Sequence, residues 1–219
     1  MYKSFIKRFL GLILSAMGIV VLTIPLLILM IVIKLDSPGP VLFKQKRVGI
    51  HKTYFEILKF RTMRVDAPKD VPTHLLKDPE QWVTGVGKIL RKTSLDELPQ
   101  IFNILLGQMA IVGPRPALWN QYDLIAERDK YGANDILPGL TGWAQINGRD
   151  ELEVDEKARL DGVYTAALNA GRCKGLAMDI KCFLGTIGSV LKAKGFVEGA
   201  AEKMQKDKAC PERQEQSNR

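Results

Sequence analysis

The class of fold is decided by LGLILSAMGIVVLTIPLLILMIVI, Leu10–Ile33, which runs for 24 residues without a charged side chain. A helix of about 20 apolar residues is long enough to cross the hydrocarbon core of a bilayer. The stretch is longer than the apolar part of a signal peptide, and no small-residue cleavage site follows it. We therefore predict a retained membrane anchor over residues 1–35.

Two features leave the path of this anchor open. Pro25 lies inside the stretch, and because proline lacks an amide hydrogen and its ring presses on the preceding turn, we expect a kink or a break there. Basic residues flank both ends, so the positive-inside bias favours neither orientation of a straight span. They are Lys3, Lys7 and Arg8 before the stretch, and Lys34, Lys44, Lys46 and Arg47 after it. A re-entrant hairpin with both ends on the cytoplasmic side would satisfy both clusters, and it stands beside the straight span as an alternative.

The positive charge is concentrated beside this stretch. The first 64 residues carry eleven Lys and Arg against two carboxylates, a net charge of +9, so the remaining 155 sum to −1 of the total +8. A nucleic-acid-binding domain would carry its basic residues on the folded domain. Next to an apolar segment, anionic headgroups attract each Lys or Arg by about 1 kcal/mol. We therefore expect membrane lipid, and no nucleic acid, as a partner.

The rest of the chain is predicted to be one domain over residues 36–194, followed by a polar, disordered tail over 195–219. The fold is predicted to be mostly α-helical with a small β-hairpin, an α+β fold. The hairpin is predicted from PVLFKQKRVG and TYFEILKFRTM, which alternate apolar and polar residues on either side of Gly49–Lys52. Short helices are predicted in EQWVTGVGKILRKT and PQIFNILLGQM, whereas IVGPRP and ILPGLTGWAQINGR are predicted as Gly/Pro loops.

Two longer helices are predicted near the end of the domain. Glu151–Ala170 has the pattern of a charged helix. In LAMDIKCFLGTIGSVLK an apolar face recurs at helical spacing and consists of Leu176, Ile180, Phe183, Ile187, Val190 and Leu191. We expect this face to pack on the core, with a position in the membrane interface as the alternative.

Two adjacent carboxylates, Asp96 and Glu97, stand in RKTSLDELPQIFN, Arg91–Asn103. The spacing from Ser94 to Glu97 is that of a capping box, which would be a sufficient structural reason for Glu97. Pro99 fits the first position of a helix better than the fifth, which leaves the start of the helix open by several residues. In either case Asp96 lies near a helix N-terminus, which favours an ionised carboxylate that can act as a nucleophile. Glu97 is the predicted ligand of Mg²⁺, which takes one or two carboxylates plus substrate phosphates.

Cations and amides elsewhere would complete a phosphate site. Arg115 stands between two prolines that present its guanidinium from a stiff support. Lys59 shares one face of a predicted strand with Arg61, and Arg91 precedes Asp96 by five residues. Each of these, taken alone, is equally explained as an exposed surface charge. The predicted substrate-binding set consists of Lys59, Arg91, Arg115, Gln145, Asn147, Arg149 and Asp161.

The segment PGLTGWAQINGR supplies three members of that set, with Gln145 and Asn147 as hydrogen-bonding amides and Arg149 as a charge. A glycine-rich turn around a buried Trp143 is the simpler structural explanation. The sequence contains no G-x-x-x-x-G-K-[ST] and no G-x-G-x-x-G, so a Walker-type or Rossmann nucleotide site is not expected.

In five motifs the chain resembles the small monotopic phosphoglycosyl transferases, the bacterial sugar transferases that initiate glycoconjugate assembly. The motifs stand in the order KQKRVG, LKFRTM, SLDELPQIFN, GQMAIVGPRP and LPGLTGWAQINGR, and the resemblance runs from the membrane segment to about Lys192. It implies transfer of a phospho-sugar from a UDP-sugar to undecaprenyl phosphate, with release of UMP. It also implies a bacterial inner-membrane location with the catalytic domain facing the cytoplasm, and makes downstream glycosyltransferases candidate partners.

The same resemblance implies roles for residues. Asp96 would attack the sugar-bearing phosphate and form a covalent phosphosugar intermediate, which undecaprenyl phosphate then resolves. Glu97 would be associated with Mg²⁺, and Lys59, Arg91 and Arg115 would belong to the same polar site. Direct attack by undecaprenyl phosphate with Asp96 as a base is one alternative, and a non-catalytic membrane-anchored assembly partner is another.

The resemblance further implies a monotopic protein whose N-terminal helix is re-entrant and broken at a proline. Two positions depart from the family pattern. The break is usually Ser-Pro, whereas here Ile24 precedes Pro25, so that Thr23 is the nearest hydroxyl that would substitute. Gly11 stands where an acidic residue often follows the early Lys-Arg pair. Both departures bear on the membrane geometry and leave the catalytic assignment unchanged.

Overall fold

The N-terminal apolar stretch forms one continuous helix. The computed structural model describes residues 2–68, 79–148 and 151–191, and in it Tyr2–Ile6 forms a π-helical turn that leads into α1, Lys7–Asp36. Within these ranges α1 is the helix whose length and hydropathy would allow it to cross a membrane. It continues through Pro25, so the expected break is absent. The re-entrant path of the anchor stays a prediction.

Pro25 removes one amide donor from α1 and deprives the carbonyl of Val21 of its helical partner. Thr23, the hydroxyl expected to compensate, donates instead to the carbonyl of Ile19 at 2.7 Å. Because only one hydrogen bond is lost and α1 is packed on both sides of Pro25, the helix does not end at Pro25.

α1 contacts the rest of the domain at both ends and in the middle. Near its start Lys7 Nζ lies 2.6 Å from a carboxylate oxygen of Asp179, and at its end Asp36 accepts a hydrogen bond from the amide of Val86 at 3.3 Å. Its middle packs in one apolar cluster, which contains Leu22, Leu26, Leu29, Ile33, Phe60, Leu90, Leu95 and Leu98. Both ends of α1 therefore contact the same folded domain, and one apolar N-terminal helix on a mostly helical domain is consistent with a monotopic membrane protein.

The predicted β-hairpin is confirmed. β1, Leu42–Val48, pairs antiparallel with β2, Tyr54–Phe60, in a register that sets Phe43 opposite Lys59. A 3₁₀ turn, Ile50–Lys52, closes the hairpin.

Two short helices follow the hairpin, as predicted. A 3₁₀ turn, Pro79–Trp82, leads to α2, Gly85–Lys92. A second 3₁₀ turn, Leu95–Glu97, connects α2 to α3, Gln100–Leu105.

The two segments predicted as loops contain regular structure, which corrects that prediction. β3, Ala110–Val112, overlaps the first segment, and β4, Gly139–Thr141, and α5, Trp143–Ile146, lie in the second. Between the two segments lie α4, Tyr122–Asp129, and a 3₁₀ turn over Ala133–Asp135. β3 and β4 pair in parallel. The strands approach so closely that a Cβ on Gly139 would lie 2.6 Å from the Cα of Gly113. Glycine is therefore required there by packing and not by a loop conformation.

The charged helix is confirmed as α6, Val154–Asn169, and it is followed by α7, Arg172–Leu191. The apolar face of α7 is largely exposed, at 44% for Leu176, 49% for Ile180, 52% for Phe183 and 43% for Ile187. The expectation that this face packs on the core is therefore wrong for these four residues, and the membrane interface remains as the alternative. The side chains of Val190 and Leu191, the tail over 195–219 and Arg149 lie outside the described residues.

Candidate active site

The Asp96–Glu97 pair lies in the 3₁₀ turn between α2 and α3. The expected capping box does not form. Ser94 adopts a left-handed conformation with φ of 57° and makes no side-chain cap, and its amide donates to the carbonyl of Arg91 at 3.1 Å. The helix begins later, at Gln100, after Pro99. The side chain of Glu97 is thus not used for capping.

Glu97 is instead the centre of a buried ion cluster. Its Oε1 accepts hydrogen bonds from Lys59 Nζ and from the Arg115 guanidinium, each at 2.8 Å. Burial alone would raise the pKa of Glu97, but the cations of Arg115 and Lys59 outweigh that effect and hold the pKa well below its ordinary value. Glu97 is therefore ionised at neutral pH and fixes two cations side by side.

Asp96 is held differently from its neighbour. Among the described residues it accepts no hydrogen bond. Burial raises the pKa of Asp96 above its ordinary value, and the charge of Lys59 opposes the rise; Glu97 adds to the rise, while Arg91 and Arg115 oppose it. A carboxylate that lies among cations but is bonded to none of them keeps its oxygens available to form a new bond.

Asn103 joins the β-hairpin to α3, the helix that follows this turn. Its side chain accepts a hydrogen bond from the amide of Leu58 at 2.9 Å and donates to the carbonyl of Glu56 at 2.8 Å. These contacts fix α3 to the β2 edge one residue before Lys59. The salt bridge between Lys59 and Glu97 therefore joins two elements that are already held in register.

Arg115 is supported through its backbone. Its carbonyl accepts a hydrogen bond from the guanidinium of Arg128 at 3.0 Å. The Arg128 guanidinium also donates two hydrogen bonds to Oδ2 of Asp161, at 2.6 and 2.9 Å. Oδ1 of Asp161 is buried without a hydrogen-bond partner in the described chain. Asp161, a predicted substrate-binding residue, therefore reaches the site through Arg115, and a direct contact with substrate stays a prediction.

An apolar cavity of about 380 Å³ adjoins the acidic turn. Its apolar wall comes from α1, α3 and α7 and includes Leu14, Leu22, Ile101, Phe183 and Ile187. Its polar lining includes Lys92, Ser94, Glu97, Arg115 and Gln145. The cavity therefore joins the two exposed apolar helices to the ion cluster.

The other predicted site residues are distributed around this centre. Arg91 donates from Nε to the hydroxyl of Thr62 at 2.8 Å and contributes charge near Asp96. Asn147 donates to the carbonyl of Trp143 at 2.7 Å and so closes α5. Arg61, which shares a predicted strand face with Lys59, is buried against the end of α1 and binds the carbonyls of Ser37 and Pro38.

The acidic pair fits the ligand set that Mg²⁺ takes. Magnesium prefers oxygen ligands and is usually held by one or two carboxylates together with substrate phosphates. Asp96 and Glu97 supply two adjacent carboxylates. Since no group of three His, Cys, Asp or Glu side chains able to hold a metal occurs in the described ranges, phosphate oxygens would have to complete the coordination.

The family model described as bacterial sugar transferase matches residues 2–193. The chain belongs to the bacterial sugar transferase family. The matched range contains the anchor, the ion cluster and the cavity, and the family is the one that the five sequence motifs indicated.

Of three curated relatives of this sugar transferase, one is named only as an uncharacterized sugar transferase and two carry more specific names. The sugar transferase EpsL of Bacillus subtilis is 38% identical over 165 residues, 75% of this chain and 77% of that protein. The UDP-glucose:undecaprenyl-phosphate glucose-1-phosphate transferase of Caulobacter vibrioides is 42% identical over 191 residues, 84% of this chain and 69% of that protein. The UDP-N-acetylgalactosamine-undecaprenyl-phosphate N-acetylgalactosaminephosphotransferase of Aeromonas hydrophila is 38% identical over 146 residues, 65% of this chain and 34% of that protein. The last two names share the lipid acceptor and differ in the sugar.

Sequence reasoning missed three supporting residues of this sugar transferase. Asn103 lies in a quoted motif, but its contacts to β2 depend on the register of two distant segments. Arg128 lies in a helix without a motif. Tyr164 donates to the carbonyl of Val112 and to Asp179, and thereby ties α6 and α7 to β3. No local pattern could have found these contacts, because each joins residues that are far apart in the chain.

Proposed function

We propose that this chain transfers a sugar phosphate from a UDP-sugar to undecaprenyl phosphate and releases UMP, as the first membrane step of glycoconjugate assembly. The observation that carries the proposal is the Asp96–Glu97 turn, where Glu97 binds the cations of Lys59 and Arg115 and lines, with Arg115, an apolar cavity between α1 and α7. The names of the Caulobacter and Aeromonas relatives support the same reaction class.

The charges of the site suit two anionic substrates. A diphosphate and a lipid phosphate repel each other, so that fixed cations must offset the charge that accumulates during transfer. Lys59, Arg91 and Arg115 are such cations, and Glu97 holds two of them in place. The apolar cavity and the exposed face of α7 suit an isoprenoid chain that stays in contact with the bilayer.

The anchor supports a location at the cytoplasmic face of the bacterial inner membrane. Basic residues flank α1 on both sides, and both of its ends contact the folded domain. A path that enters one leaflet and returns would keep both basic clusters in the cytoplasm, in agreement with the positive-inside bias. The active site would then lie at headgroup depth, where the phosphate of the lipid acceptor is found.

The covalent route divides the transfer into two displacements. An oxygen of Asp96 attacks the sugar-bearing phosphorus, a new phosphorus–oxygen bond forms, and UMP leaves with the electron pair of the broken diphosphate bond. An oxygen of undecaprenyl phosphate then attacks the same phosphorus and expels the Asp96 carboxylate in its original ionised form. The absence of a hydrogen bond to Asp96 among the described residues supports this role.

Glu97 is the proposed magnesium ligand. When Mg²⁺ is bound by Glu97 and the substrate phosphates, it supplies positive charge against the diphosphate. The chain's own part is to keep Glu97 ionised, which Arg115 and Lys59 do, and to orient those two cations toward one carboxylate oxygen.

A mass measurement tests the covalent route. Purified protein incubated with Mg²⁺ and its UDP-sugar, without acceptor, should gain the mass of one phosphosugar on Asp96 and release an equal amount of UMP. Asp96→Asn should abolish both, whereas Asp66→Asn, an exposed aspartate paired with Arg64, should change neither. UMP release that requires the acceptor, without an adduct, would favour direct attack with Asp96 as a base.

The general reaction is tested separately. UMP release is measured across a panel of UDP-sugars in the presence of undecaprenyl phosphate. Turnover of at least one sugar nucleotide is the expected result. A failure across the whole panel would favour a non-catalytic assembly partner.

A further inference from the structure

Gln145 carries two buried polar atoms that no described residue satisfies. Both Oε1 and Nε2 are shielded from solvent, and neither has a hydrogen-bond partner. A Cβ on Gly142 would lie 2.7 Å from Oε1, so the amide rests against the backbone at the start of α5. Burying an unpaired amide is costly, and buried polar groups in folded proteins are nearly always paired. A missing partner is therefore expected at this position.

The amide borders the cavity of the proposed active site. Gln145 lines the same cavity as Glu97 and Arg115. A ligand that places its phosphates against the ion cluster would bring its neighbouring groups to Gln145. A substrate group bound close to the reacting phosphate would supply the missing partner.

We propose that the carboxamide of Gln145 binds an adjacent hydrogen-bond donor and acceptor on the UDP-sugar, and that it distinguishes this substrate from the lipid acceptor. The inference rests on the proposed function. An isoprenoid chain is apolar and its phosphate offers acceptor oxygens, so the lipid would leave Oε1 unpaired. A UDP-sugar carries paired donors and acceptors in the imide edge of uracil and in the hydroxyl or acetamido groups of the sugar.

A satisfied amide elsewhere in the domain provides a matched control. Oε1 of Gln121 accepts a hydrogen bond from the amide of Leu118 at 2.8 Å. Replacing Gln121 by Met removes a made hydrogen bond and should lower the thermal midpoint. Replacing Gln145 by Met removes two unpaired atoms and should leave the midpoint unchanged or raise it. A purely structural role for Gln145 would give the opposite ranking.

Binding is measured in the Asp96→Asn background, so that no turnover occurs. Calorimetry on the full chain in detergent gives dissociation constants for the UDP-sugar, UMP and undecaprenyl phosphate. Gln145→Met should weaken UDP-sugar binding by about tenfold, the effect of one or two lost hydrogen bonds. The dissociation constant of undecaprenyl phosphate should not change, and Gln121→Met should change none of the three. Gln145→Glu, which keeps the shape and replaces the donor by a negative charge, should also weaken UDP-sugar binding.

The UMP measurement identifies the group that is bound. If Gln145→Met weakens UMP binding as much as UDP-sugar binding, Gln145 binds the uracil. If UMP binding is unchanged, Gln145 binds the sugar. Unchanged UDP-sugar binding in both Gln145 variants, or a change confined to undecaprenyl phosphate, would overturn the proposal. A wild-type chain that releases no UMP from any UDP-sugar would refute the proposed function, and the binding constants would still decide the role of Gln145.

Discussion

Two ion clusters lie on opposite sides of Arg115 and differ in their surroundings. The side chain of Arg115 belongs to the first cluster, in which Glu97 binds Lys59 and Arg115 at the border of the cavity. The side chain of Lys59 is 15% exposed and that of Arg115 is 29% exposed. The backbone carbonyl of Arg115 contacts the second cluster, the ion pair of Arg128 and Asp161. These two side chains are 5% and 1% exposed. In the proposed function the open cluster would exchange a contact for a substrate phosphate, whereas the closed pair would only hold the backbone. The same residue chemistry would then serve binding in one place and positioning in the other.

The largest effect is expected from opening the closed pair. Arg128→Met leaves Asp161 charged and unpaired in the interior, which should cost about 3–5 kcal/mol of stability. The thermal midpoint of the purified protein measures this loss. UMP release should also fall, because the carbonyl of Arg115 loses its donor.

The double variant Arg128→Met/Asp161→Leu is the control for that prediction. Removing both charges together should restore much of the lost stability, since an apolar pair of similar volume replaces a buried ion pair at little cost. Restored stability with UMP release still reduced would support positioning of Arg115. A stable Arg128→Met single variant would contradict the comparison of open and closed clusters.

A substitution in the open cluster should reduce activity more than stability, the reverse of the effect expected for the closed pair. Glu97→Gln removes the anion that fixes Lys59 and Arg115, and misplaced catalytic groups reduce rates by about a hundredfold. The stability loss should be only about 1 kcal/mol, since Arg115 lines the cavity and Lys59 keeps the charge of Asp96 nearby. UMP release and the thermal midpoint, measured on one preparation, test this. A stability loss as large as that of Arg128→Met would show that the two clusters are equivalent.

The pH dependence of transfer offers a smaller but directional effect. In the proposed mechanism transfer needs ionised Asp96, and burial raises its pKa, so the rate should be lost on acidification at a pH above the ordinary pKa of an aspartate. Lys59→Met removes a cation that lowers this pKa and should move the acid limb to higher pH. Glu97→Gln removes an anion that raises it and should move the limb to lower pH. Normalised pH profiles of UMP release that shift in the same direction for both variants would contradict this assignment.

Local patterns in the sequence were sufficient for some of these elements and not for others. The hairpin could be predicted because alternation and a tight turn are local, and the family was recognisable from the residues of the acidic motif and its four companions. The prediction of a capping box was wrong because Glu97 pairs with Lys59 and Arg115 instead of capping a helix. These partners lie 38 and 18 positions away in the sequence. The strands β3 and β4 were missed because each has three residues and their pairing depends on the approach of distant glycines.

The apolar face of α7 illustrates a second limit. Helical periodicity shows that Ile180 and Phe183 share a face, but the same period describes a core-facing helix and a membrane-facing one. The distinction depends on which neighbours cover the helix, and this is known only once the exposed fractions of those side chains are known. Gln145 shows the same limit, since the sequence suggested an amide ligand but could not reveal that both its polar side-chain atoms are buried without a partner among the described residues.

The smallest effect is expected at an exposed ion pair on α6, the helix that also carries Asp161. Glu156 binds Arg159 at 2.7 Å, but the two side chains are 40% and 55% exposed. Water and salt screen such a pair, and its charges remain solvated when one partner is removed. Glu156→Gln should therefore leave both the thermal midpoint and UMP release unchanged within error, although it makes the same chemical change as Glu97→Gln. A measurable loss would mean that ion-pair distance, and not burial, determines the contribution of these clusters, and the contrast between the open and the closed cluster would then lose its physical basis.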